Sequence, residues 1–250
     1  GVRRMAARNA IVKSLSSVET LGCASVICSD KTGTLTRSEM TIERVASASG
    51  ASRVTGAGYV PVGHLEQAGE RLTAGPVHDE HLVVLGAGSL AGNASLRQTE
   101  RGEWEIQGDP TEAAFLVAER KLGAHERRAR RFERVAEIPF TSERKMMSTV
   151  ERDHEQGGEL LLVAKGAPDV LIARCTHQRV GAEVRALDDA MRAQALADVD
   201  RLADEALRAL AVAYRPLTPA ESAAVLAADA GALDTLEQAL VYVGSVGIID

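Results

Sequence analysis

At 250 residues, 45% of them apolar and 26% charged, the chain is composed like a soluble globular protein of one large or two small domains. A net charge of −6 excludes a general nucleic-acid binder. No apolar run reaches the roughly 18 residues that a membrane-spanning helix needs.

Residues 2–13 carry good helix formers and read as a helix, with Arg3, Arg4, Arg8 and Lys13 interrupting any apolar leader. The β-branched stretch 24–29 predicts a buried parallel strand, with Cys23 and Cys28 as packing residues. Three cysteines make an odd count with no tight spacing, which suits reduced thiols. Alternation over 40–45 predicts a half-buried strand, and the Gly-rich segment 50–75 a loop with a short strand near Val54. Residues 79–96 read as a helix, 103–107 as a strand, and 111–121 as a helix opened by Asp109-Pro110. His78 and His81 share a face of the first of these, with no third ligand nearby in sequence.

The basic run 126–134 is flanked by glutamates and reads as a solvated helix face or connector. Segments 132–140, 145–152 and 159–165 alternate and predict three strands. A short helix is expected at 167–174, a long amphipathic one at 188–208, and strands at 210–214 and 239–243. Residues 220–232 are Ala-rich and fit helix or loop.

Chemistry concentrates at Asp30-Lys31-Thr32-Gly33-Thr34-Leu35-Thr36. An Asp where a parallel strand ends sits at the carboxyl edge of a sheet, where open α/β folds bind ligands. A carboxylate there can act as a nucleophile and form an aspartyl-phosphate. Gly33 permits a close approach to phosphate, and the threonines add hydroxyl and N–H donors. An Asp that merely caps a turn is the plainer alternative; seven matched positions weigh against it.

The heptad resembles the phosphorylation signature of P-type ATPases, ion pumps whose catalytic core belongs to the haloacid dehalogenase superfamily. Further motifs follow in the same order: Gln107-Gly108-Asp109-Pro110-Thr111-Glu112, Phe140-Thr141-Ser142-Glu143-Arg144-Lys145, Lys165-Gly166-Ala167-Pro168 and Leu207-Arg208-Ala209-Leu210. Gly247-Ile248-Ile249-Asp250 resembles the start of the family's hinge motif. The resemblance implies an α/β fold: an antiparallel-sheet nucleotide-binding domain flanked by helices, inserted into an incomplete Rossmann-type phosphorylation domain. Residues 1–39 would be a stalk helix and the first part of the phosphorylation domain, 40–244 the nucleotide-binding domain, and 245–250 the return, with Asp250 at the hinge.

The resemblance implies ATP and Mg²⁺ as cofactors. Phe140, one of three phenylalanines, offers adenine a stacking partner. Lys145 and Lys165 lie on neighbouring predicted strands, with Gly166 leaving room for a ligand; two lysines at one mouth would repel each other until an anion relieved them. Glu112 matches a residue at the adenine end, and Arg208 one that reaches the phosphates, a task suited to its planar fork. Asp30 would attack the γ-phosphate, Lys31 would assist electrostatically, and Asp30 with the Thr32 carbonyl would hold Mg²⁺.

Three residues depart from the family's pattern: Ser142 stands where animal calcium pumps carry Arg, Ser38 where Asn is usual, and Gly92 where Cys is usual. The parent is expected to be an ATP-driven cation pump in the cell membrane, with this chain a cytoplasmic piece lacking the membrane and actuator domains. Calcium is the first choice of cation, ahead of sodium/potassium or magnesium. The expected partners are therefore ATP, the absent domains and the transported cation. Alternatives are a nucleotide-binding module without turnover of its own and a soluble dehalogenase-superfamily phosphatase. The latter needs a second Asp two positions after the nucleophile, where Thr32 stands.

Overall fold

The computed structural model describes residues 2–9, 11, 14–26, 28–29, 39–229, 231–233 and 235–250. They form two compact units, 1–38 and 39–250. In the first, α1 is Val2–Ala6 and α2 is Leu15–Gly22. The expected helix over 2–13 thus reaches only to Ala6. Residues 24–26, 28 and 29 are exposed and belong to no strand, contrary to the sequence expectation, and Cys23 and Cys28 are exposed rather than packed. A strand exists through its partner's hydrogen bonds, and the described residues of this unit contain no strand.

The second unit runs in chain order through β1 (Thr41–Ser47), β2 (Gly50–Val54), β3 (Leu65–Gln67), β4 (Glu70–Leu72), α3 (Pro76–Leu90), β5 (Ser95–Gln98), β6 (Trp104–Gln107), α4 (Pro110–Lys121) and α5 (His125–Arg131). It continues through β7 (Phe132–Thr141), β8 (Met146–Asp153), β9 (Glu159–Gly166), α6 (Pro168–Ala173), β10 (Cys175–Val180) and β11 (Glu183–Ala186). It ends with α7 (Asp189–Asp204), β12 (Arg208–Pro216), α8 (Pro219–Leu226) and β13 (Leu240–Ile249).

The main sheet has the order β4-β3-β2-β1-β13-β12-β9-β8-β7, with β10 on β13 and β11 beyond it; β5 and β6 make a separate hairpin. All pairings are antiparallel except β10 on β13. The result is an α/β architecture with a mostly antiparallel sheet and flanking helices. Alternation along β12 shows how the sheet is covered. Ala211 and Ala213 join Leu171, Ile172, Ala195 and Val225 on the face carrying α6, α7 and α8. Val212 joins Val84, Leu85, Ala114 and Phe115 on the face carrying α3 and α4. Period-two side chains divided between two apolar layers are what a doubly covered sheet requires.

Residues 245–249 form the second half of β13, in register with β1 from Ala46↔Ser245 to Thr41↔Ile249. Midway along β13, Gly244 takes φ +156, and a Cβ there would come within 2.4 Å of the Ala46 carbonyl oxygen. That close approach lets one strand serve β10 along its first half and β1 along its second.

Local signals set the helix starts. Asp109 caps α4 by accepting from the N–H groups of Thr111 (2.8 Å) and Glu112 (3.2 Å). Thr218 and Glu221 form a capping box on α8. No helix among the described residues is long and apolar enough to cross a membrane.

Candidate functional site

Antiparallel pairing gathers several strand ends at one edge of the sheet: the end of β7, the start of β8, the end of β9, the start of β12, the end of β13 and the start of β1. The pairs Thr141↔Met146, Met146↔Gly166, Ala211↔Gly166, Arg208↔Ile248 and Thr41↔Ile249 fix this edge. Phe140, Lys145, Lys165, Gly166 and Arg208 all lie on or within three residues of it. Asp30, Lys31 and Thr32 lie outside the described residues.

Lys165 and Glu112 are brought together. Lys165 projects from β9 to the face carrying α3 and α4 and is only 6% exposed. Its Nζ lies 3.6 Å from Glu112 Oε1, an ion pair beyond hydrogen-bond reach, and 5.3 Å from the centre of the Phe115 ring. Among the described residues this buried ammonium has no hydrogen-bond partner, although an ammonium carries three donors. Burial lowers its pKa to about 8, against the raising pull of Glu112 and Asp109.

Glu112 is fixed from behind, since its Oε2 accepts from the N–H groups of Asn93 (2.7 Å) and Ala94 (3.0 Å). Gly92 lets the loop come close to the lysine: a Cβ there would sit 2.9 Å from Lys165 Nζ and 3.4 Å from the Glu112 carboxyl carbon. At this position any side chain, cysteine included, would press on the buried lysine.

Phe140 is 59% exposed. It stands in an irregular step of the β7–β8 ladder, between the pairs Ile138↔Ser148 and Thr141↔Met146. Lys145 closes the following turn in the left-handed region at φ +53; its N–H donates to the Thr141 carbonyl at 2.8 Å and its own carbonyl accepts from Ala167 N–H at 2.9 Å. Its ammonium lies 3.8 Å from Asp169.

The expected repulsion between two unpaired lysines is thus absent, because each has its own carboxylate: Glu112 for Lys165 and Asp169 for Lys145. Gly166 also differs from expectation. A Cβ there would lie 2.5 Å from Met146 Cβ and 2.6 Å from the Lys145 carbonyl oxygen, so its bare side serves strand contact rather than ligand space. Arg208 is exposed at the first position of β12, and its side chain makes no ion pair among the described residues.

Sequence reasoning missed Arg134. The run 126–134 was expected to be a solvated face; instead Arg134 donates to the carbonyls of Leu90 and Gly92, the latter at 2.8 Å, and to Asn93 Oδ1 at 2.5 Å. It therefore holds the 90–93 loop against which Glu112 is set. Nearby Arg128 pairs with the buried Glu119 at 2.6 Å. No spacing rule joins Arg134 to residues more than forty positions away.

His81 is fully buried in the core, with Nε2 donating to the Gly50 carbonyl at 3.2 Å and Nδ1 accepting from Ser52 at 2.7 Å. Among the described residues no three His, Cys, Asp or Glu side chains gather as a metal site. A cavity of about 750 Å³ lies at the opposite edge of the sheet, against Phe132, Leu161 and Arg179, and contains none of the predicted nucleotide residues. The edge holding Lys165 and Phe140 joins an exposed aromatic face to a buried cation with unused donors, a combination suited to a flat, anionic ligand.

Residues 82–250 match the family model described as P-type ATPase, cytoplasmic domain N. The chain is 37% identical over 204 residues to a calcium-transporting ATPase of Bacillus subtilis (strain 168), covering 81% of this chain and 22% of that protein. It is 39% identical over 192 residues to the probable cation-transporting ATPase F of Mycobacterium tuberculosis (strain ATCC 25618 / H37Rv), covering 76% and 21%. With the calcium-transporting ATPase type 2C member 1 of Bos taurus it shares 38% identity over 179 residues, 70% and 18% of the two. The chain thus spans about a fifth of the length of these relatives.

Proposed function

Because the chain belongs to the P-type ATPase family, with residues 82–250 matching its cytoplasmic N domain, we propose that it binds MgATP at the edge carrying Phe140 and Lys165. Adenine stacks on Phe140 with Glu112 at the adenine end and Gly166 behind it, Lys165 and Lys145 line the pocket and offset the phosphate charge, and Arg208 reaches the phosphates. The observation that carries this reading is the buried Lys165 ammonium, which has no hydrogen-bond partner among the described residues and lies 3.6 Å from Glu112 at the sheet edge that exposes Phe140. A buried donor left unsatisfied is costly unless a ligand completes it.

In the parent protein the Asp30 carboxylate would attack the γ-phosphorus with Lys31 beside it, the bond to the bridging oxygen would break and ADP would leave; Asp30 and the Thr32 carbonyl would hold Mg²⁺, which would supply charge neutralisation. The parent is read as an ATP-hydrolysing cation pump of the membrane, with the N domain on its cytoplasmic side. Calcium is preferred because two of the three relatives above are called calcium-transporting. Units 1–38 and 39–250 correspond in this reading to a stalk with the first part of a dehalogenase-like phosphorylation domain and to the inserted nucleotide domain, with the hinge at Glu39 and Asp250.

Titrating ATP against the amide NMR spectrum tests the site. The expected result is saturable shifts at Phe140, Lys145 and Lys165, with a Kd in the high-micromolar to millimolar range typical of an open site with few fixed contacts. Lys165→Ala should weaken ATP more than adenosine, since loss of a charge-assisted contact costs about 1.5–3 kcal/mol. Absence of shifts at millimolar ATP defeats the assignment, and equal weakening of both ligands removes the phosphate role of Lys165.

A further inference from the structure

The turn that follows Phe140 is anchored by a residue 97 positions further along the chain. Arg144 reaches back to donate to the Pro139 carbonyl at 2.5 Å. That carbonyl lies in the irregular step between Ile138↔Ser148 and Thr141↔Met146. The other end of the guanidinium donates to Glu237.

Glu237 is 6% exposed and also accepts from Ser148 Oγ at 2.7 Å. Arg174 lies 3.7 Å from its second carboxylate oxygen and donates to its backbone carbonyl at 3.2 Å. The Arg174 carbonyl in turn accepts from Leu240 N–H at 3.0 Å. Glu237 is therefore fixed to β8, to the end of α6 and to the start of β13 at once, while Arg144 carries that rigidity to the backbone beside Phe140.

We propose that Glu237, acting through Arg144, is a positioning residue that sets the aromatic platform for the adenine of the bound nucleotide. Pro139 has no N–H and stands outside the ladder, so the strand partner does little to hold its carbonyl. An aromatic ring that is more than half exposed is not oriented by core packing either. The Arg144 contact thus fixes the peptide that carries Phe140, and a planar guanidinium can bridge a carbonyl and a carboxylate in one rigid plane. The same turn ends in Lys145, so both expected ligand contacts of the β7–β8 connection depend on one buried carboxylate that touches neither.

The inference rests on the nucleotide reading for its ligand, and the experiment separates the two. With the full chain, ATP, adenosine and tripolyphosphate are titrated into wild type, Glu237→Gln, Arg144→Gln and the same changes in a Phe140→Ala background. Expected are a loss of about tenfold in adenosine and ATP affinity, little change for tripolyphosphate, and no additional loss once Phe140 is removed. Glu237→Gln should also shift the Phe140 and Lys145 amides and lower their heteronuclear NOE without ligand.

An equal loss for all three ligands, or a loss that persists undiminished in Phe140→Ala, indicates general destabilisation and overturns the positioning role. If wild type binds no ATP, the nucleotide reading fails, and the ligand-free resonances then decide the clamp alone. Unchanged Phe140 and Lys145 signals in both single variants would sink it. Arg144→Gln keeps the test open if Glu237→Gln does not fold, because Arg144 lies in a partly exposed turn.

Discussion

Burial takes the Lys165 ammonium out of water and lowers its pKa from 10.5 to about 8. The shift corresponds to roughly 3 kcal/mol of cost to the folded state. Below pH 8 both the folded and the unfolded chain hold this proton, and the folded one bears the whole cost. Between about pH 8 and 10.5 only the unfolded chain still holds it, so the penalty shrinks as pH rises. Replacing the ammonium with an apolar group of similar length removes the penalty, and Glu112 keeps its two backbone donors. Lys165→Met should therefore raise the urea midpoint near pH 7 while weakening ATP. Chemical denaturation alongside an ATP titration checks both halves, and a variant less stable than wild type contradicts the account. In wild type, ATP affinity should fall as pH rises through about 8, with proton uptake on binding visible by calorimetry in buffers of different ionisation enthalpy.

At the scale of elements, α3 is joined to β2 by a buried imidazole. His81 is held neutral by burial, with its pKa lowered to about 4. Above pH 6.5 it is neutral folded or unfolded; as pH falls toward 4 only the unfolded chain takes up the proton, and stability drops by up to roughly 3 kcal/mol. His81→Gln should flatten this acid slope relative to wild type in urea melts between pH 7 and 4.5. An unchanged slope would show that other groups set it.

The elements also show what the sequence could reveal. Strand-like runs bounded by turns such as Gln156-Gly157-Gly158 made β7, β8 and β9 legible, and Asp109-Pro110 marked the start of α4. The short strand expected near Val54 is β2, whereas β3 and β4 were hidden in the Gly-rich segment, because their hydrogen bonds come from β2 and from each other rather than from a long apolar run. The helix expected over 188–208 ends at Asp204, since Arg208 already pairs with Ile248. The lysine and glutamate of the site were legible through their motifs, whereas Arg134, Asp169 and Glu237 were not, because tertiary hydrogen bonds leave no local spacing.

For the whole molecule, the division at Ser38 and Glu39 implies that residues 39–250 carry their own core. Both apolar layers are built from residues within that range, and domains with their own core fold independently. A chain of residues 39–250 should bind ATP with an affinity within about twofold of the full chain, because Glu112, Phe140, Lys145, Lys165 and Arg208 all lie within that range. Calorimetric titration of the two chains side by side checks this. A large loss would place part of the site in the first 38 residues.

The pair Thr41↔Ile249 has a mechanical consequence. The first and last residues of this unit adjoin neighbouring strands, at the same end. A force drawing them apart meets the β1–β13 hydrogen bonds one after another, as a zipper does, instead of loading the whole ladder in shear. The unit is therefore weak against tension applied at its two ends.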